Sequence, residues 1–394
     1  MSIFGVKITY EVLKMKKANL VLASLLSLVV LASCETESTS TSSESVDESS
    51  AFSTSIEDDP YAAVLSGLDT TLGTAYETYT DSSDEEIGGA YGYVSGNIAY
   101  GWVEYTSYGA SYGVAVAVTF NDANEATGIE IGAPADGSHN YTPYYAMSYE
   151  AGYAEYQVYL ANVESAVTNA TVGEDAGEIY SAFAGTELDP TTSTFTPGVS
   201  LVGAGATQTD ARLGIAIKYA AESWILNLED PASTDYSSEL GVTSADALEA
   251  ATTVAASTTD ANGNTVLYGA VHYTSWGAYY GAAVEITVAN NVITSVEWGV
   301  PYAEAHNFTP MYKTSAPLSY WNYVNNWNSV YSYRLVGQIL NSDLLAVWTG
   351  YGIGTDDSGS TTYTSPAHIT VDAGATQSYA RGSMAVLAAL DYVL

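Results

Sequence analysis

The chain has 394 residues with 45 acids against 9 bases, a formal net charge of −36, four histidines and one cysteine. So acidic a chain lacks the clustered Lys and Arg that nucleic acid or an anionic membrane surface would require. A lone cysteine excludes an internal disulfide, a cysteine-ligated iron–sulfur cluster and a Cys-x-x-Cys-His haem attachment, and no His-Glu-x-x-His string offers a zinc site.

In chain order the first element is an export segment. Lys16 and Lys17 precede an apolar run from Leu20 to Ala32, and Leu31-Ala-Ser-Cys34 supplies small residues before the cysteine. This is the layout of a secretory signal, reading naturally from Met15, and its apolar run is short for a membrane-spanning helix, which needs ~20 residues. The cysteine string resembles the lipobox of bacterial lipoproteins. That resemblance implies that residues 1–33 are a signal peptide and that Cys34 is the lipidated N-terminus, anchoring the chain in a lipid membrane on its extracellular face; an uncut N-terminal anchor is the alternative. Only Arg212, Lys218, Lys313, Arg334 and Arg381 remain as bases after Cys34.

Residues 34–59 are Ser, Thr and acid with almost no large apolar side chain. They cannot bury enough surface to offset their ordering entropy, so a disordered tether spanning about 25–30 Å is expected.

A first domain is assigned to residues 60–230. It opens with a weakly amphipathic run from Pro60 to Thr80. Tyr91-Gly-Tyr-Val, Tyr100-Gly-Trp-Val-Glu-Tyr, Tyr112 to Phe120 and Gly128-Ile-Glu-Ile then cluster aromatic and β-branched residues between Gly and Asn/Asp turns. They predict an antiparallel meander. Tyr149, Tyr153 and Tyr156 mark a helix whose aromatic stripe favours a core face. Thr207 to Leu226 is a closing helix.

The second domain, residues 231–394, repeats this plan. A connecting helix is expected from Ser244, strands over Thr265-Val-Leu-Tyr, Ala282 to Val288 and Val292 to Trp298, an aromatic helix carrying Tyr320, Tyr323 and Trp327, and a closing helix from Thr376 to Leu394. The predicted class is α+β: two tandem copies of a small antiparallel-sheet domain with flanking helices, after a disordered tether.

Three strings recur at nearly constant offset. Tyr105-Thr-Ser-Tyr-Gly-Ala-Ser-Tyr-Gly113 matches Tyr273-Thr-Ser-Trp-Gly-Ala-Tyr-Tyr-Gly281, and His139-Asn-Tyr-Thr-Pro143 matches His306-Asn-Phe-Thr-Pro310. Ala204-Gly-Ala-Thr-Gln-Thr-Asp-Ala-Arg212 matches Ala373-Gly-Ala-Thr-Gln-Ser-Tyr-Ala-Arg381 except at two positions. The last string sets a threonine hydroxyl at the mouth of each closing helix. Taken singly, each threonine is a favoured N-cap, and Thr207-Gln-Thr-Asp210 has the form of a capping box. Arg212 and Arg381, scarce bases at equivalent places, call for a phosphate or an electron-rich ring nearby.

Sheet, Gly-Ala-Thr and helix together resemble the FMN-binding domain of sodium-pumping and electron-bifurcating membrane complexes. The tandem copy behind a lipoprotein signal resembles the flavinylated surface lipoproteins of Gram-positive extracellular electron transfer. The resemblance implies two FMN groups, each joined by a flavin transferase through a phosphodiester to Thr207 or Thr376. Gly205, Ala206, Gly374 and Ala375 would leave the hydroxyl open to that transferase. Ala204 and Ala373 stand where the family usually has Ser. His139, Thr142, His306 and Thr309 fall where the family holds residues against the flavin ring; loop histidines with Pro143 and Pro310 shaping turns are the plainer reading. The function so implied is a surface electron carrier with no catalytic residue of its own. A membrane quinone or NADH dehydrogenase would be the donor, and soluble flavin or ferric iron the acceptor. The alternatives are a non-redox module binding wall polysaccharide or protein, and an exported FMN-dependent reductase.

Overall fold

The computed structural model describes residues 59–141, 150–202, 206–350, 352–355, 361–364 and 375–394. The export segment with Cys34, nearly all of the tether, Thr142, Tyr149, Gly205 and Gly374 lie outside the described residues. Residues 55–394 form one compact unit, with helices and antiparallel sheets in a mixed α+β arrangement.

β1 (Thr74–Thr80), β2 (Glu86–Ser95), β3 (Ile98–Ser107), β4 (Ala110–Phe120) and β5 (Ala126–Gly132) pair in sequence order as an antiparallel meander. β1 falls in the run expected to be amphipathic. Its Thr-Ala-Tyr-Glu-Thr-Tyr-Thr sequence is rich in β-branched and aromatic residues, and pairing with β2 supplies the ladder. Period-two alternation sorts β3: Ala99, Val103 and Tyr105 join the main core, whereas Tyr100 and Trp102 pack on the opposite face with Leu65 and Tyr93.

α1 (Glu150–Thr171), α2 (Ala176–Phe183), the short hairpin β6 (Glu187–Asp189) and β7 (Thr194–Thr196), and α3 (Thr207–Asn227) follow. α2 starts on a complete capping box between Asp175 and Glu178. α3 lies across β2, β3 and β4. It comes so close at Gly101 that an added Cβ would meet the Ala216 carbonyl oxygen at 2.0 Å.

β8 (Thr234–Asp235) and one helical turn, α4 (Ser237–Leu240), lead to β9 (Thr252–Thr259), β10 (Thr265–Ser275), β11 (Ala278–Ala289) and β12 (Val292–Val300). The sheet order is β8-β12-β11-β10-β9, with β8 parallel to β12. The connecting helix expected from Ser244 is only a 3-10 turn over Ser244–Asp246. Asp246 is tied back to the Thr243 backbone and hydroxyl, and the Thr-Thr-Val run then favours strand β9.

α5 (Pro310–Ser315), α6 (Pro317–Leu335), α7 (Ser342–Trp348), the hairpin β13 (Gly352–Thr355) and β14 (Thr361–Thr364), and α8 (Thr376–Asp391) complete the chain. Proline at the first position starts α5 and α6, where its missing N–H is no loss. The aromatic stripe of α6 is core: Tyr320, Tyr323, Trp327 and Tyr331 are buried, and Trp327 meets Trp298 edge-on at 4.9 Å. In α1, Tyr156 is likewise buried. α8 crosses its sheet at Gly269, where an added Cβ would lie 2.2 Å from the Ala385 carbonyl oxygen.

Candidate functional site

Each closing helix starts one residue earlier than a threonine cap requires. Ala206 and Ala375 are the N-cap residues, neither helix has a side-chain cap, and Thr207 and Thr376 are first helical residues. Both threonines are exposed. The capping-box reading of Thr207 is therefore replaced. Asp210 is buried and its carboxylate accepts from the Leu201 and Val202 backbone N–H groups, holding the preceding loop against the helix.

One turn on, each helix buries a guanidinium; Arg212 and Arg381 are each 1% exposed. Arg212 donates from Nε to the Tyr105 hydroxyl at 2.9 Å, from Nη2 to the same oxygen at 2.8 Å and to Gln208 Oε1 at 3.2 Å, and from Nη1 to the Asn140 carbonyl. Its carbon also sits 4.8 Å from the Tyr112 ring centroid. Arg381 repeats the arrangement. Nε donates to Tyr273 at 2.9 Å, Nη2 to Gln377 Oε1 at 3.3 Å and Nη1 to the Asn307 carbonyl, with the Tyr280 ring 4.9 Å away. Among the described residues no carboxylate pairs with either guanidinium; hydroxyl, amide and carbonyl oxygens and ring faces take its place. Burial pushes the Tyr105 and Tyr273 hydroxyls up, against the pull of the adjacent arginine, so both stay protonated.

The His-Asn strings run beside the sheets. The His139 carbonyl accepts from Gly113 N–H and its N–H donates to Ser111, both at 3.1 Å; His306 does the same with Gly281 and Tyr279. The next residue makes the contact with the helix. The Asn140 carbonyl accepts from Thr209 Oγ1 at 3.1 Å as well as from Arg212, and the Asn307 carbonyl accepts from Ser378 Oγ at 2.8 Å as well as from Arg381. The His139 ring is half-buried and that of His306 exposed. Thr309 Oγ1 donates to Gln377 Oε1 at 3.2 Å.

Asn140 and Asn307 escaped the sequence reading although both stand in a repeated string. So did Tyr105, Tyr112, Tyr273 and Tyr280, which belong to the other one. Recurrence was the signal; their partners lie too far along the chain for spacing to reveal. Both asparagine side chains are buried with the amide oxygen lacking a donor, while Nδ2 donates to the Tyr159 or Tyr323 hydroxyl. An acceptor stripped of water and left unpaired is costly, and a donor on a bound group would relieve it.

Beside Arg212 opens a cleft of about 200 Å³ lined by Tyr105, Tyr108, Tyr112, Pro190, Phe195 and Gln208, among others. The β6–β7 hairpin forms one wall. In the second half Tyr363 of β14 stands correspondingly, 3.5 Å from the Tyr273 hydroxyl and over Arg381. No group of His, Cys, Asp and Glu suited to a metal ion occurs among the described residues, nor a helix long and apolar enough to cross a membrane.

Comparison of the chain with protein-family models, curated proteins and solved structures gave no match.

Proposed function

We propose that the chain is two copies of one unit, each carrying FMN by a phosphodiester to Thr207 or Thr376, and that it relays electrons at the outer cell surface. The observation that carries this reading is an exposed threonine at the first position of a helix whose N-cap is alanine, occurring twice with the same buried arginine clamp one turn on. Neither threonine is spent as the N-cap of its helix, and both residues are exposed to an approaching transferase. The helix N-terminus favours the negative charge of a phosphodiester through its amide groups and dipole.

The residues suit a flavin. The cleft offers aromatic walls and a guanidinium. Bound FMN would supply one- and two-electron chemistry. The protein's own part is to hold the ring, limit water and set the surrounding charge. Covalent attachment fits an exported carrier, from which a dissociable cofactor would be lost by diffusion. Lipid at Cys34 would keep the carrier near a membrane quinone or NADH dehydrogenase, with soluble flavin or ferric iron accepting electrons.

Co-expression of the exported chain with a flavin transferase, followed by denaturing electrophoresis, tests the reading. Flavin fluorescence should stay with the wild-type band, halve in Thr207→Ala and Thr376→Ala, and vanish in the double variant. Fluorescence that survives in the double variant would remove these threonines from the account.

A further inference from the structure

The hairpins β3–β4 and β10–β11 close with two-residue loops, Tyr108-Gly109 and Trp276-Gly277. All four residues have positive φ: 49° and 77° in the first loop, 54° and 75° in the second. This is the primed turn whose twist matches the strands, and Asn-Gly is its low-cost sequence. The chain uses asparagine for the same purpose between β11 and β12, at Asn290 and Asn291 with φ of 49° and 66°. A bulky aromatic held in the left-handed region is instead strained. Packing offsets none of that strain, because Tyr108 is 96% exposed and Trp276 98% exposed.

Two equivalent loops thus hold strained, bare aromatic rings where asparagine would suit the fold better. Tyr108 also lines the cleft that contains Arg212 and Gln208, and Gln208 directly follows Thr207 in the chain. An electron-rich plate there matches a planar, electron-poor ring tethered one residue away. The 200 Å³ space is bounded by the Tyr105 and Tyr112 rings, Phe195 and Pro190.

We infer that Tyr108 and Trp276 are stacking residues that close over the flavin ring borne by Thr207 and Thr376 respectively, an inference that rests on the flavin reading above. Each ring would gain the face-to-face contact it lacks in the bare chain, repaying the turn strain. Electron-rich Tyr or Trp in such contact quenches flavin emission by transferring an electron to the excited ring, which returns to the donor without net chemistry.

The test uses the full flavinylated protein in single-site backgrounds. In Thr376→Ala, which leaves the Thr207 site, Tyr108→Asn should keep covalent flavin per chain and raise native flavin fluorescence severalfold toward the denatured value. In Thr207→Ala, Trp276→Asn should do the same. Asparagine fits the turn, so folding survives and the urea midpoint should not fall. Unchanged native fluorescence with full covalent flavin would overturn the stacking role and leave the carrier reading standing. Loss of covalent flavin in the Asn variants would also overturn it, giving the hairpins to transferase recognition. Wild-type protein without flavin after denaturation would overturn both, and that result is recognised before any hairpin variant is made.

Discussion

Arg212 is held by the Tyr105 hydroxyl, the Asn140 carbonyl and Gln208, and one face of its plane meets Tyr112. Such planar recognition is specific to guanidinium, so Arg212→Lys should cost about 2 kcal/mol in urea unfolding, and Tyr105→Phe about 1–3 kcal/mol. A pH effect arises separately at Glu222. This buried carboxyl is pushed up to about 7 by burial, with Glu77 adding to the rise and Lys218 opposing it. Between about 4.5 and 7 the folded chain holds a proton that the unfolded chain has released, so stability falls as pH rises through that window. Glu222→Gln should remove about 2–3 kcal/mol of that loss and make the variant the more stable protein at pH 8. A pH-independent difference from wild type would contradict this. At the same scale, the sequence exposed the threonines and arginines through their repetition, but not the asparagines. The clamp joins Asn140 to Arg212 and Asn307 to Arg381 across a separation that only folding closes.

Helix and sheet meet in both halves at a glycine. Gly101 lies under Ala216 and Gly269 under Ala385, with no space for a methyl group. Gly269→Ala should push α8 off β10 and cost about 3 kcal/mol or more, measured by thermal or urea unfolding. The central strands of both meanders and the closing helices were legible because runs of aromatic and β-branched residues between turns, and alanine-rich helical spacing, agree with the near-continuous burial these elements finally have. β1, β9 and the hairpins β6–β7 and β13–β14 were not. The last two pairs are three or four residues per strand, too short for a period to register, and β9 is a Thr/Ala-rich edge strand whose partner β10 decides its state. The 3-10 turn at Ser244 has the capping box of a helix start, yet the chain turns extended at Ala247 and the Thr-rich run pairs as β9.

Residues 55–394 behave as one compact unit because α6 packs against α2 and α3. Trp321 rests on Gly177, where an added Cβ would come within 2.3 Å of the indole; the Tyr320 hydroxyl donates to the Leu228 carbonyl at 3.1 Å and that of Tyr323 to Asp230. Wild type should therefore unfold in a single transition seen alike by far-ultraviolet dichroism and tryptophan fluorescence. Gly177→Val should separate the two curves. If the halves share one body, their sites sit on a common frame, which suits a relay of two flavins better than two independent binders. The most direct test of the central claim is the intact mass of the chain exported by cells that make a flavin transferase. Two additions are predicted, each equal to FMN less one water, falling to one in Thr207→Ala or Thr376→Ala; a chain carrying neither addition would contradict the account.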